Sequence, residues 1–325
     1  MLVDYGQEAV KMSNEHRKLL VTGGAGFIGS HFVESAILKG YDVSVFDNLS
    51  SGRLENLSLC EANEHFRFVK GDIRHVNDVS DAVRSVDSVV HLAALVSVPE
   101  SLERPRLTAL TNSLGTLNLL DACVKRGVRR FVFASSCAVY GDPLHLPVSE
   151  DHPTVPLSLY AASKLAGEAY CDAFRASFGL ETVCLRFFNV YGPRQREGPY
   201  AGVIVKFVER LLLEEAPTIF GDGSQTRDFV YVADVVDAVL SALDSESAVG
   251  EKINVGSGRE VTVNELAEIL AKIAGGMRKP VYENRREGEI FRSLADITKA
   301  QRLLSYSPKI SLREGLARLV KATVA

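Results

Sequence analysis

Leu19-Leu-Val-Thr-Gly-Gly-Ala-Gly-Phe-Ile-Gly29 decides how the rest of this 325-residue chain is read. The apolar run 19–22 predicts a strand, which enters a glycine turn that opens a helix at Phe27. Gly23 suits the tight turn, Gly26 lets backbone approach a pyrophosphate, and Gly29 allows the helix to pack closely on the strand. The amino end of the helix, with Phe27 and Ile28 in its first turn, then faces the anion. A glycine pattern of this kind is by itself often only a turn. Here a strand precedes it, a helix follows, and an acid stands beyond the next strand. Asp47 closes the run 42–46, about 20 residues past the loop, where a carboxylate hydrogen-bonds the adenosine ribose hydroxyls. Asn48, beside it, falls in the same site. No arginine follows Asp47 directly, which favours NAD over NADP.

Outward from this loop, short β-branched runs alternate with helical stretches, the rhythm of a parallel sheet wrapped by helices. Strands are predicted at 19–22, 42–46, 66–70, 88–91, 130–134 and 182–186, apolar enough to be buried on both faces. The fold class is α/β, a Rossmann-type doubly wound parallel sheet with a smaller α/β substrate-binding domain. After Arg186 the rhythm breaks into loops rich in Gly, Pro and Arg, then helices near 201–213, 234–243, 264–274 and 312–321. The cofactor domain is assigned to 18–186 and the substrate domain to 187–233 and 257–325. Residues 234–256, a helix followed by a strand, are expected to rejoin the main sheet. Asp72 and Ile73 after the third strand, and Leu92, Ala93 and Ala94 after the fourth, line up with the cofactor.

The bulk numbers narrow the function classes. A net charge of −4, a pI near 6.0 and no long basic run argue against a nucleic-acid or anionic-membrane binder. No apolar run approaches the roughly 18 residues of a membrane span, and residues 1–18 lack the apolar core of a signal peptide. The five cysteines are odd in number and form no C-x-x-C pair, so neither a disulfide framework nor a zinc site is expected. That pattern points to the cytoplasm, with no metal.

Tyr160 and Lys164 are four residues apart in a stretch of strong helical period, so both project from one face. A nearby ammonium favours phenolate, lowering the phenol from its usual value of about 10 toward working pH, and can also bond a ribose. Tyr160 then serves as general base. Such a pair also arises on helix surfaces with no chemical role. Its context is the run Ser135-Ser-Cys-Ala-Val-Tyr-Gly141, which sets Ser136 at the carboxyl end of a central strand, where open α/β sheets bind ligands. Ser136 can bond both a substrate hydroxyl and Tyr160.

Taken together, T-G-G-A-G-F-I-G-S (22–30), G-D-I (71–73), H-L-A-A (91–94), S-S-C-A-V-Y-G (135–141), Y-A-A-S-K (160–164), L-R-F-F-N-V-Y-G-P-R (185–194), G-D-G-S-Q-T-R-D-F-V-Y-V-A-D (221–234) and R-R-E-G-E (285–289) resemble the extended short-chain dehydrogenase/reductases. Within them the chain is similar to the UDP-galactose (UDP-hexose) 4-epimerases, including bacterial UDP-N-acetylglucosamine 4-epimerases. The resemblance implies an NAD-dependent isomerase that inverts carbon 4 of a UDP-hexose through a transient 4-keto sugar, working as a homodimer. The pairing helices would lie near 107–126 and 159–178. Related dehydratases carry an Asp-Glu pair beside the serine, and UDP-glucuronate decarboxylases a Glu. Cys137 and Ala138 stand there in this chain, which disfavours elimination.

The resemblance adds Asn112 and Phe187 to the cofactor contacts. For the UDP-sugar it implies Asn189, Gln195, Gly202, Val203, Phe220 against uracil, Arg227 and Arg286 on the pyrophosphate, and Glu289 on the uridine ribose. The rigid guanidinium fork suits phosphate oxygens. Ser293 falls where relatives carry a bulky Tyr, so a small residue there leaves room for an N-acetyl group. UDP-glucose/UDP-galactose remains open as substrate, as does UDP-glucuronate, whose carboxylate Arg196 can reach. Another NAD-dependent nucleotide-sugar oxidoreductase, or a sensing protein that only binds NAD or UDP-sugar, is the rival reading. Retention of Ser136, Tyr160 and Lys164 favours an enzyme.

Overall fold

β1 (Arg17–Thr22) has a parallel partner on each side, and this central place lets its exit loop face the middle of one sheet edge. The computed structural model describes residues 16–195, 198, 201–276, 278–285 and 290–324. The chain continues through α1 (Phe27–Leu38), β2 (Tyr41–Asp47), β3 (Phe66–Lys70), α2 (Val76–Ala82) and β4 (Ser88–His91). α3 (Val98–Glu103), α4 (Pro105–Thr108) and α5 (Gly115–Arg126) lead to β5 (Arg130–Ser136), and α6 (Leu159–Phe178) leads to β6 (Glu181–Phe187). β7 (Asn189–Tyr191), α7 (Val203–Leu212), β8 (Thr218–Phe220) and β9 (Thr226–Tyr231) then lie outside the main sheet, before α8 (Val232–Asp244) and β10 (Lys252–Val255) return to it. β11 (Glu260–Thr262), α9 (Val263–Ile273), β12 (Val281–Glu283), α10 (Thr298–Leu304) and α11 (Leu312–Val324) complete the order.

The sheet runs β3-β2-β1-β4-β5-β6-β10 with every pairing parallel, the doubly wound α/β arrangement expected from the sequence. Valines and leucines fill its centre: Val21 pairs with Val45 on one side and Val90 on the other, all fully buried. One face is covered by α1, α8 and α10 through Phe32, Val33, Val235, Val239 and Leu304. The other packs Val79 of α2, Leu119 and Leu120 of α5 and Cys171 of α6. Burial on both faces is why these strands read as continuous apolar runs rather than alternating ones.

The second half has its own core, in which Phe207 and Val208 of α7, Leu266 and Leu270 of α9 and Leu316 of α11 surround β9. Its strands form two small sheets, β11-β9-β7 and β12-β8. Residues 234–256 run from α8 into β10, which hydrogen-bonds to β6 in the register Ile253–Leu185.

Two departures from the expected outlines bear on the site. β5 continues past Ala134 because Ser135 and Ser136 keep pairing with Arg186 and Phe187 through backbone alone. The expected helix near 107–126 is broken by a π-helical stretch, Ala109–Leu114. The wider turn buries Asn112, whose side chain bonds both backbone groups of Leu95 (2.8 and 3.0 Å).

Arg130, at the start of β5, is fully buried beneath the end of α8. Its guanidinium bonds the Ala242 and Ser245 carbonyls at 3.0 and 2.9 Å and pairs with Glu181 and Glu246 at 2.9 and 3.0 Å. Arg130→Ala leaves helix-end carbonyls without their donor, so we expect a loss of about 3 kcal/mol in unfolding free energy by urea denaturation. A loss under about 1 kcal/mol would mean that water replaces the guanidinium.

Candidate active site

The carboxyl ends of β1, β2, β4 and β5 converge at the point where strand order reverses, and nearly every residue singled out in the first half lies there. Gly23 takes a φ of +70°, and a Cβ on it would meet the Ala93 nitrogen at 2.6 Å. Gly29 is more confined, since a Cβ there would lie 2.2 Å from the Gly23 carbonyl oxygen. Gly26 is the residue before α1 and has no side chain to cap the helix, so the first-turn amides of Phe27 and Ile28 are left for another acceptor. The Asp47 carboxylate accepts from the Ala25 and Leu49 amides (3.1 and 2.8 Å), tying β2 to the glycine loop. Burial raises its pKa, and these two bonds oppose the rise.

Asn48 donates to Asp72 at 2.8 Å, and Arg74 grips the same carboxylate through two nitrogens at 2.9 and 2.6 Å. The Arg74 hydrogen bonds hold Asp72 well below the usual carboxylate range. Ile73 is turned the other way: its side chain packs in the core beside Gly115, and its carbonyl accepts from Asn118. Leu92 and Ala93 are fastened to Thr22, whose carbonyl accepts from Leu92 N (3.1 Å) and whose hydroxyl accepts from Ala93 N (3.3 Å). That hydroxyl donates to His91 Nδ1 at 2.7 Å, and His91 Nε2 donates onward to Thr116 at 2.9 Å. Complete burial, and then the Lys164 charge, push His91 down to about 3, so this relay stays neutral. Ala94 follows half-buried, and Asn112 also bonds Ser163 of α6 at 2.9 Å.

α6 carries Tyr160 and Lys164. Ser158 caps it by accepting from Ala161 N, and the helix sets Tyr160 and Lys164 on successive turns. Lys164 is buried, with Nζ donating to the Ala134 carbonyl at 2.7 Å, and lies 6.0 Å from the Tyr160 ring centre. Ser136, which ends β5, accepts from Ala138 N, and its hydroxyl is the polar group that acts on the Tyr160 phenol. The expected depression of the Tyr160 pKa by Lys164 is not found. Burial pushes the phenol up to about 12, with the nearby Ser136 hydroxyl opposing it, and Lys164 bonds a carbonyl instead of the phenol. Lys164 itself is pulled down to about 8 by burial, with Glu168 opposing.

Behind the pair is a buried network that the sequence reading did not pick out. Arg186 of β6 clasps Glu168 of α6 at 2.9 and 2.7 Å, and Ser135 donates to the same carboxylate at 2.5 Å. Arg186 also bonds Tyr140 (2.9 Å), Tyr140 donates to Asn254 (2.6 Å), and Asn254 donates to the Val148 carbonyl (2.8 Å). Val148 pairs with the segment around Ala295. Asp228 completes the frame: its carboxylate accepts from Ser257 N, Gly258 N and Ala295 N at 2.7, 3.0 and 3.1 Å. The signals were charges inside otherwise apolar stretches, one in Leu185-Arg-Phe and two in Arg227-Asp-Phe.

The substrate set is more dispersed. Phe187 stands opposite Ser136 in the sheet, and Asn189 donates to the Asp228 carbonyl at 3.3 Å. Gln195 donates to the Val190 carbonyl at 3.3 Å, while Gly202 precedes α7 and Val203 begins it. Arg227 donates to the Thr226 carbonyl at 2.8 Å, and its charge reaches Cys137, next to Ser136. Phe220 lines a cavity of about 230 Å³ with Gln225, Arg285 and Phe291. Ser293 is buried beside the Val148–Ala295 bridge. Arg196, Arg286 and Glu289 lie outside the described residues.

The model of the NAD dependent epimerase/dehydratase family matches residues 19–256. A putative UDP-glucose 4-epimerase of Methanocaldococcus jannaschii is 44% identical over 305 residues, covering 93% of this chain and 97% of that protein. The crystal structure of UDP-glucose 4-epimerase from Thermotoga maritima with UDP-glucose is 41% identical, covers 94% of this chain and 98% of its own, and superposes with a TM-score of 0.89. UDP-N-acetylglucosamine 4-epimerase from Methanobrevibacter ruminantium, in complex with UDP-N-acetylmuramic acid, is 38% identical, with coverages of 95% and 99% and a TM-score of 0.90.

The depressed Lys164 pKa predicts a stability signature in the ligand-free protein. Between about pH 8 and its unfolded value of 10.5 the unfolded chain binds the extra proton, so stability rises with pH in that window. Against Lys164→Met, the wild-type protein should gain about 2 kcal/mol from pH 8 to pH 10 in urea denaturation. Parallel curves for the two proteins would refute a depressed ammonium.

Proposed function

The chain belongs to the NAD dependent epimerase/dehydratase family, and from that premise we propose that it inverts carbon 4 of a UDP-hexose, with Ser136, Tyr160 and Lys164 as its catalytic residues. One observation carries the reading: Ser136 at the end of β5 and Tyr160 on α6 stand together beside buried Lys164, and neither Cys137 nor Ala138, the residues that follow Ser136, supplies a second acid or base. Ala138 has no functional group, and burial pushes the Cys137 thiol up to about 12, so it stays protonated. Elimination of water, which needs an acid/base pair, is therefore not supported.

The glycine loop fits NAD. Gly23 and Gly29 are walled by backbone, whereas a Cβ on Gly26 would meet only the Gly23 carbonyl, at 3.1 Å, leaving that side open to a pyrophosphate. Gly23, Gly26, Gly29 and the first-turn amides of Phe27 and Ile28 would hold the phosphates, and Asp47 the adenosine ribose. Asn48, Asp72 and the backbone at Ile73 would border the adenine. Leu92, Ala93, Ala94, Asn112, Tyr160, Lys164 and Phe187 would line the remainder. When bound, NAD supplies the hydride acceptor and donor, and in its oxidised form a positive charge that favours phenolate.

Tyr160 takes the proton from the sugar 4-hydroxyl, and Ser136 holds that hydroxyl in line through its own hydrogen bond. Lys164, fixed on the Ala134 carbonyl, keeps a positive charge behind the phenol. Arg227, together with Arg286, grips the UDP pyrophosphate while Phe220 packs on the uracil and Glu289 bonds the ribose. Asn189, Gln195, Gly202 and Val203 close around the phosphates and sugar. With UDP anchored and the sugar loosely held, the 4-keto sugar turns over its phosphate link, and Tyr160 returns the proton on the other face. Configuration inverts without net redox.

Ser293, small and buried, supports acceptance of an N-acetylated sugar alongside the plain hexose. We also read the protein as a cytoplasmic homodimer. Its five cysteines are free thiols, and Leu110, Leu114 and Leu159 are exposed on the stretch before α5 and on α6. No helix among the described residues is long and apolar enough to cross a membrane.

The test is incubation of purified protein with UDP-N-acetylglucosamine, UDP-glucose and UDP-glucuronate separately, with NMR of each product and absorbance for free NADH. Inversion at carbon 4 without NADH accumulation is expected, and the relative rates assign the sugar. Stoichiometric NADH would move the enzyme to the oxidoreductases. Tyr160→Phe should cut turnover by about 10³-fold while leaving UDP binding intact by calorimetry. Undiminished turnover would remove Tyr160 from the mechanism.

A further inference from the structure

At the amino ends of the strands, the edge opposite Ser136 and Asp47, three side chains from distant parts of the chain converge. His16 immediately precedes β1, Asp42 is the second residue of β2, and His65 immediately precedes β3. The sheet brings them together, since β2 is hydrogen-bonded to β1 on one side and to β3 on the other. The imidazole rings lie 4.2 Å apart, centre to centre. One nitrogen from each ring and one Asp42 oxygen all fall within 4.8 Å of one another.

The hydrogen bonds around these rings fix which nitrogens are available. His16 Nδ1 contacts the Gly40 carbonyl at 2.8 Å, and a carbonyl can only accept, so Nδ1 carries the proton. His65 Nδ1 contacts Asp42 Oδ1 at 2.7 Å, and a carboxylate likewise accepts. In the neutral imidazoles, both Nε2 atoms are therefore left with a lone pair. Metal-binding histidines have this arrangement: one nitrogen donates to a carbonyl or carboxylate that orients the ring, and the other binds the ion. Glu64 extends a carboxylate oxygen to 3.9 Å from His65 Nε2, adding an oxygen donor on the side of the ring away from Asp42. The His65 and Asp42 side chains are each about a third exposed, so an ion can enter from solvent.

From this convergence we propose that His16 and His65, with a carboxylate oxygen from Glu64, form a binding site for a divalent transition-metal ion of the zinc class, Asp42 and the Gly40 carbonyl holding the two rings in place. Two imidazoles with carboxylate favour Zn²⁺, Co²⁺ or Ni²⁺ over Mg²⁺ and Ca²⁺, which take oxygen ligands. The ion fastens the residue before β1 to the residue before β3 across the start of β2. It acts on the stability of the cofactor-binding half and takes no part in the chemistry at the other edge of the sheet. Sequence spacing holds no sign of the site, because its residues are 26 and 23 positions apart and meet only through strand pairing.

The experiment titrates metal-stripped full-length protein with ZnCl₂ by calorimetry, and with CoCl₂ by visible absorption, for the wild type, His16→Ala and His65→Ala. One ion per chain is expected, with Co²⁺ bands of a nitrogen- and oxygen-ligated ion and affinity lowered at least about tenfold in either variant. Zn²⁺ should raise the melting temperature of the wild type alone, and MgCl₂ should raise neither. Epimerase activity, unchanged in both metal-free variants, serves to show that they are folded. Absence of binding, equal binding by the variants, or Co²⁺ charge-transfer bands of a thiolate ligand would each overturn the site. His65→Gln, which keeps bulk and polarity but is a poor ligand, should behave as His65→Ala.

Discussion

The Arg186–Glu168 ion pair is the contact on which the placing of Ser136, Tyr160 and Lys164 depends. Both residues are buried, and neither charge would be tolerated there without the other. Their clasp joins β6 to α6 one turn beyond Lys164, and Ser135 ties β5 to the same carboxylate immediately before Ser136. The strand bearing the serine and the helix bearing the tyrosine and lysine are thus held by one satisfied polar cluster. Tyr140 and Asn254 carry the connection on to Val148 and the segment containing Ser293. Apolar packing alone would tolerate small slips of helix on sheet. Directional bonds to a buried carboxylate do not.

This explains a contrast within the site. The residues that would meet the cofactor are held mostly by backbone: glycine contacts, amide bonds to Asp47, and the Thr22 groups that fasten Leu92 and Ala93. Those that would meet the sugar nucleotide stand on long side chains and loops, among them Arg227 and Gln195. A rigid cofactor cradle facing a more adaptable substrate side suits a reaction in which one ligand stays put and the other must turn over.

Much of this was legible in the sequence, for a physical reason. Parallel strands buried on both faces must be apolar throughout, so the six strands from Leu19 to Arg186 were visible as runs, and the glycine loop located the switch point. The Tyr160–Lys164 pair was visible because helical spacing is local. What sequence could not supply was the effect of burial: proximity of Lys164 suggests an acidic phenol, yet in the folded protein desolvation raises the phenol while Lys164 is turned to a backbone carbonyl. Asn112 was placed by a π-helical stretch that no periodicity predicts. The Arg186, Asp228 and His16–His65 groupings depend on partners tens of residues away, known only once the strands are paired.

The path of the chain after β6 has a consequence of a different kind. It crosses into the smaller half at β7, returns to the main sheet for α8 and β10, and crosses back at β11. Neither half is a continuous length of polypeptide, so no single cut can release one intact from the other. Recombination that swaps substrate-binding modules between enzymes at one breakpoint is closed to such a topology. Diversification of what it binds must come from point changes and loop insertions within an interlaced whole.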